Sequence, residues 1–229
     1  MRYYLYLALV WPLSLLPLTV LYAISDALCL LLYHVLHYRI KVTRRNIEIV
    51  FPEKSAEERR YIERRYYRRL CDQIVETVHL LSMSQAEFDQ RITGEGGELI
   101  EQAAREGHPA IVYLGHFGNW EWALAFKRYF AVPERACAVY RPVHDKGMDR
   151  LMLKIRSRFG CDIIPQDKTV RTLLGLRREH GTFAAGFIAD QRPNSVNLNH
   201  WTTFLGQDTA YPPGGEDIGR KMDAQYFYL

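Results

Sequence analysis

The chain opens on an apolar run. From Tyr3 to Ser25 there is no charged residue, and Leu, Tyr, Val and Trp dominate. As one helix this stretch would reach roughly 35 Å, enough for a hydrocarbon layer of about 30 Å. Pro12 and Pro17 would kink such a helix without forbidding it. Asp26 interrupts, and Ala27 to Leu36 resumes as a second apolar helix that can return toward the interface. Residues 1–38 are therefore expected to form membrane-anchor or interfacial helices. A cleaved signal peptide fits less well, because Arg2 is the whole positive n-region and the apolar run is too long. Arg39, Lys41, Arg44 and Arg45 follow, and by the positive-inside tendency they predict a cytoplasmic body against the inner leaflet.

Ser55 followed by Glu58 is a capping-box pattern and predicts a helix from Ala56 to about Leu81. It carries six arginines from Arg59 to Arg69, with Tyr61, Tyr66 and Tyr67 among them and Glu57, Glu58 and Glu63 interleaved. That face is either a solvated, salt-bridged surface or a basic one turned to anionic headgroups. After a polar stretch through Gly94, Gly96 and Gly97, the pattern becomes βα alternation. Helices are predicted at 98–106, 120–130, 147–159, 170–179 and 214–224. Strands are predicted at 110–114, 136–140, 161–164 and 182–189. This order predicts an α/β fold with a mostly parallel or mixed sheet flanked by helices, occupying residues 39–229. Residues 191–213 show little periodicity. The closing QYFYL starts another strand, and the domain reads as truncated there.

Composition adds bounds. The 229 residues are 48% hydrophobic, enough to bury one sizeable core. A formal charge of +4 gives no reason to invoke a nucleic-acid partner. Cys29, Cys71, Cys137 and Cys161 are dispersed without a C-x-x-C pair, which fits a reducing compartment and packing roles. The histidines show no ligand spacing and H-E-x-x-H is absent, so no metal site is predicted.

The chemistry concentrates in Ala110–Phe130, where the first predicted strand runs into GHFGNWEW. His116 and Glu121 lie five residues apart, about 140° away from each other on a continuous helix. Across a strand-to-helix turn they can meet, with Gly118 permitting the tight geometry and Asn119 capping the helix. A carboxylate on one imidazole nitrogen fixes the tautomer and leaves the other nitrogen as a base for a hydroxyl. Without a G-x-S-x-G elbow, the substrate's own hydroxyl is the better nucleophile.

GHFGNWEW resembles the signature of the bacterial lipid A biosynthesis acyltransferases, the lauroyl and myristoyl transferases of the lysophospholipid acyltransferase-like superfamily. Asn46–Pro52 (NIEIVFP), Glu76, Tyr140-Arg141-Pro142, Arg156 before Phe159-Gly160, Ala189-Asp190-Gln191 and Thr203-Phe204-Leu205-Gly206 fall in that family's order. The resemblance implies a glycerolipid acyltransferase-like fold. It implies catalysis by His116 and Glu121, with Glu121 orienting His116, and Asn119, Arg141, Arg156, Asp190 and Gln191 as substrate-binding candidates. Arg141 and Arg156 would meet phosphate or a developing oxyanion, while Asp190 and Gln191 would position substrate or brace the motif. Trp120 and Trp122 would pack the site's wall. No cofactor is implied; acyl-ACP or acyl-CoA is the co-substrate. The implied partners are acyl carrier protein, a lipid A precursor and the inner membrane. Two departures stand out: family members continue past this end, and Asp190-Gln191 runs on into Arg192-Pro193. Acyl transfer to another membrane lipid, or a non-catalytic membrane adaptor, remains an alternative.

Overall fold

The computed structural model describes residues 1–191, 193 and 198–229. The apolar start is not one helix. Helix α1 spans Arg2–Ser14 and α2 spans Leu18–Leu30, continuing as a π-helical turn over Leu31–Val35. The break falls at Pro17, which has no N–H to give and serves instead as the N-cap of α2. The carbonyl of Ser14 at the end of α1 is taken by His79 Nδ1 at 3.0 Å and by the Ser82 hydroxyl at 2.5 Å. Among the described residues, the helix long and apolar enough to cross a membrane is thus Leu18–Val35 rather than Tyr3–Ser25.

Helix α3 (Ile40–Val50) leads to α4 (Ala56–His79), and the capping box of Ser55 and Glu58 forms in both directions. Glu63, Tyr67, Cys71, Val75 and His79 are buried at every fourth position of α4, the stripe expected of a helix with one inward face. That stripe receives the N-terminal helices. Arg44 of α3 forks onto Glu63, Tyr67 bonds the Tyr38 carbonyl, and Leu18 and Leu21 pack on Val75. Beside the stripe, Ser25 of α2 donates to Asp72 at 2.7 Å.

A short α5 (Gln85–Arg91), capped by Ser84, precedes α6 (Gly97–Arg105) and strand β1 (Ala110–Leu114). Next come α7 (Trp120–Ala123), a 3-10 segment over Leu124–Tyr129, β2 (Ala136–Tyr140) and α8 (Lys146–Arg156). Strand β3 (Asp162–Pro165), α9 (Thr169–His180) and β4 (Ala184–Ile188) follow. The predicted helix over 120–130 therefore gives one α-helical turn and then tightens. The three-residue repeat points Ala123, Phe126 and Tyr129 into one cavity, and Gly97 fits against the Tyr129 carbonyl where a Cβ would lie 1.9 Å from the oxygen.

Five strands form a parallel sheet in the order β3-β2-β4-β1-β7, β7 being Gln225–Tyr228. Alternate residues of β1 serve opposite faces: Ala110 and Val112 pack with Ile100, Phe126 and Phe130, and Ile111 packs with Leu173, Leu176 and Met222. The second face lies under α9 and α10 (Gly214–Lys221). The aperiodic tail contains an unpredicted hairpin, β5 (Trp201–Phe204) and β6 (Gln207–Ala210). Its two-residue turn is Leu205-Gly206, both at positive φ, the turn whose twist suits adjoining strands.

Candidate active site

Sheet order explains what meets at the strand ends. Strand β4 lies between β1 and β2, and β1 pairs with β4 in the register Leu114↔Ile188. Two residues past each strand end come His116 and Asp190. Asp190 Oδ1 lies 2.6 Å from His116 Nδ1, and its Oδ2 accepts the His116 backbone N–H, also at 2.6 Å. A carboxylate only accepts, so Nδ1 carries the proton and Nε2 presents its lone pair. Gly115 permits the approach: a Cβ there would stand 3.2 Å from Asp190 Oδ2. The imidazole rests edge-on to Trp120, ring centres 4.5 Å apart. Gln191 Nε2 lies 3.3 Å from His116 Nε2.

Glu121 does not make the bond expected of it. Both carboxylate oxygens are held by Arg156, Oε2 by Nε at 2.7 Å and Oε1 by Nη2 at 2.5 Å. The two side chains are 6% and 18% exposed, a nearly dry bidentate pair. Burial by itself would lower the Arg156 guanidinium, but the hydrogen bond and charge of Glu121 outweigh it and hold it above the usual arginine value. The physical reason is direction. Glu121 lies in the first turn of α7 and faces α8, whose last turn supplies Arg156, while the imidazole is turned toward the end of β4.

A cleft of about 260 Å³ gathers His116, Glu121, Arg156, Gln191, Tyr140 and Arg141 over the end of β4. Arg141 is exposed, just past the end of β2, and has no carboxylate partner among the described residues. Tyr140 stacks its ring 5.9 Å from the Arg156 guanidinium. Burial, then the neighbouring Asp149, pushes the Tyr140 phenol above its ordinary value. Asp149 also accepts the Val143 N–H at 2.8 Å, which ties the exit of β2 to α8.

Asn119 lies apart from this cleft. Its Oδ1 caps the Glu121 N–H at 3.2 Å, and its amide points away to Glu76 on α4. It borders a separate cavity of about 1130 Å³ that also touches Trp122, Phe126 and Tyr22. Arg192, where the sequence departs from the family pattern, lies outside the described residues.

The geometry can be set beside known proteins. The sequence model of one family, described as bacterial lipid A biosynthesis acyltransferase, matches residues 1–226. The chain belongs to that family. A comparison with curated protein sequences finds no significant match. For a lipid A acyltransferase family member, a lipid acceptor and an acyl-transfer reaction are implied. Residue spacing does not point to the Glu76–Asn119 contact, because α4 is forty residues from the turn. The place of Glu76 in the family's order is the one signal that marks it.

Proposed function

We propose that the protein is a membrane-bound acyltransferase that moves a fatty acyl chain from acyl carrier protein to a hydroxyl of a lipid A precursor. The observation that carries this reading is the His116–Asp190 pair opening onto a cleft with Arg141 and Arg156. The acceptor hydroxyl displaces the Gln191 amide and gives its proton to His116 Nε2. Its oxygen attacks the thioester carbonyl carbon, and Asp190 steadies the imidazolium. The tetrahedral oxyanion draws on nearby guanidinium N–H groups. The C–S bond then breaks, and His116 returns the proton to the departing thiolate. Glu121 holds Arg156 at the cleft wall, and Arg141 is placed to meet a phosphate of acceptor or donor.

The N-terminal layer supports work at a membrane. Tyr4, Leu5, Leu9, Val20, Leu30, Val35 and Leu36 are exposed on α1, α2 and the turn that follows. Arg60, Arg64, Arg65 and Arg69 of α4 have no carboxylate partner among the described residues, which suits an anionic surface. We place the protein at the inner membrane with its body in the cytoplasm. The reading is tested by incubating the protein with acyl carrier protein thioesters and a lipid A precursor and weighing the product. A product heavier by one acyl group supports it. Acylation of a lysophospholipid or another glycolipid instead would reassign the acceptor.

A further inference from the structure

Glu76 stands one turn before the end of α4, beside the buried stripe, and each of its carboxylate oxygens is taken by a different layer of the protein. Oε1 accepts the Tyr22 hydroxyl of α2 at 2.9 Å. Oε2 accepts the Asn119 amide at 2.7 Å, and Asn119 in turn caps the Glu121 N–H. A run of hydrogen bonds thus leads from the apolar N-terminal helix to the first turn of α7. A second tie reaches the same turn from the other side. The start of α1 lies so close to α8 that a Cβ on Gly147 would stand 2.9 Å from the Tyr3 nitrogen, and Arg2 pairs with the α8 cap Asp145 at 2.8 Å. The last turn of α8 carries Arg156, bonded to Glu121.

We infer that Glu76 is a positioning residue for the His116 turn, and that through Tyr22 it sets that turn in register with the N-terminal apolar helices. The inference rests on the acyl-transfer reading for its consequence in turnover, and on geometry alone for the bracing. Glu76 touches no reacting atom. It fixes where α7 begins, and with it Trp120, whose ring abuts His116. A seating of α1 and α2 on lipid is thereby transmitted to the base by two hydrogen bonds on one carboxylate, a rigid link of the kind that holds reacting groups in place.

The test uses the full chain in phosphatidylglycerol-containing vesicles, with kcat and KM measured against acyl carrier protein thioester and lipid A precursor. Glu76→Gln offers one acceptor oxygen where the carboxylate offered two, so the Asn119 amide and the Tyr22 hydroxyl can no longer both donate to it. It is expected to lower kcat about 10- to 100-fold, the scale of a misplaced reacting group, with KM little changed. The double variant Glu76→Gln/Asn119→Asp reverses the polarity. The introduced amide donates to the introduced carboxylate, whose second oxygen still caps the Glu121 N–H, so most of kcat is expected to return. Tyr22→Phe removes one hydroxyl from the surface of α2 and is expected to give an intermediate loss. The His116 ring resonances, which sense Trp120, are expected to move in Glu76→Gln and to return in the double variant. Wild-type kcat in Glu76→Gln overturns the inference, as does a folded double variant no better than the single. Wild-type kcat and resonances in Tyr22→Phe overturn the link to α2. Should the wild-type chain transfer no acyl group, the acyl-transfer reading fails and the His116 resonances decide the bracing alone: unmoved in Glu76→Gln, they overturn it.

Discussion

Asp190 takes both the ring Nδ1–H and the backbone N–H of His116 at 2.6 Å, so one carboxylate fixes the tautomer, the ring plane and the position of the base. The two residues are 74 apart in the chain, and parallel pairing of β1 with β4 makes them neighbours. Glu121, only five residues from His116, serves the cleft through Arg156.

The Glu121–Arg156 pair has a consequence for stability. Removing one partner of a nearly buried pair leaves a charge without its counter-ion, so Glu121→Ala is expected to cost about 3–5 kcal/mol of unfolding free energy as well as activity. Glu121→Leu combined with Arg156→Met should regain most of the stability and none of the turnover. Chemical denaturation of the three proteins measures this; an unaltered midpoint for Glu121→Ala would count against the pairing.

Gly115→Ala places a methyl against Asp190 Oδ2 and forces a shift of a few tenths of an ångström. The expected result is a kcat lower by about tenfold with an unchanged melting temperature. Steady-state kinetics beside a thermal melt checks it, and wild-type kcat would show that the close approach is not needed.

The outer and inner faces of the N-terminal helices should separate by mutation. Leu5, Leu9 and Leu13 share the exposed side of α1, being 58%, 62% and 41% exposed. Changing all three to Gln should weaken binding to anionic vesicles and leave the melt in place. Leu21, 1% exposed against α4, should instead cost about 2–5 kcal/mol when cut to Ala. Vesicle sedimentation and denaturation read the two effects. Deleting residues 1–36 would bare Leu21's partners on α4, so the expected product is an unfolded chain.

Three thiols should be silent. Burial pushes Cys71 and Cys161 up to about 12 and raises Cys137 as well, leaving essentially no thiolate at pH 8. In the folded protein, maleimide should label Cys29 alone, and after denaturation all four. Rapid native labelling at two or more sites would contradict the packing described.

The strands and the larger helices were legible because each carries a local signal. Ala110–Leu114 and Ala136–Tyr140 are short apolar runs between breakers, and Ser55 and Glu58 announce α4. Helix α5 also carried a cap in Ser84 with Glu87 three residues on, but it is too short to show periodicity. The Leu205-Gly206 hairpin was hidden because β5 is exposed at every residue and β6 buries only Ala210, so no alternation marks them. The site divides along the same line. His116, Asp190, Arg156 and Arg141 could each be named from motif and strand-end position. Which carboxylate serves which base follows from strand order, and no local pattern encodes that β4 inserts between β1 and β2.

The most direct measurement is the single-turnover rate of acyl transfer in Asp190→Asn beside His116→Ala. With the introduced amide accepting the His116 backbone N–H, its NH₂ faces Nδ1 and favours the wrong tautomer. The account predicts a loss of about 10³-fold or more with an unchanged melt, approaching the loss in His116→Ala. Transfer by Asp190→Asn at the wild-type rate would contradict it.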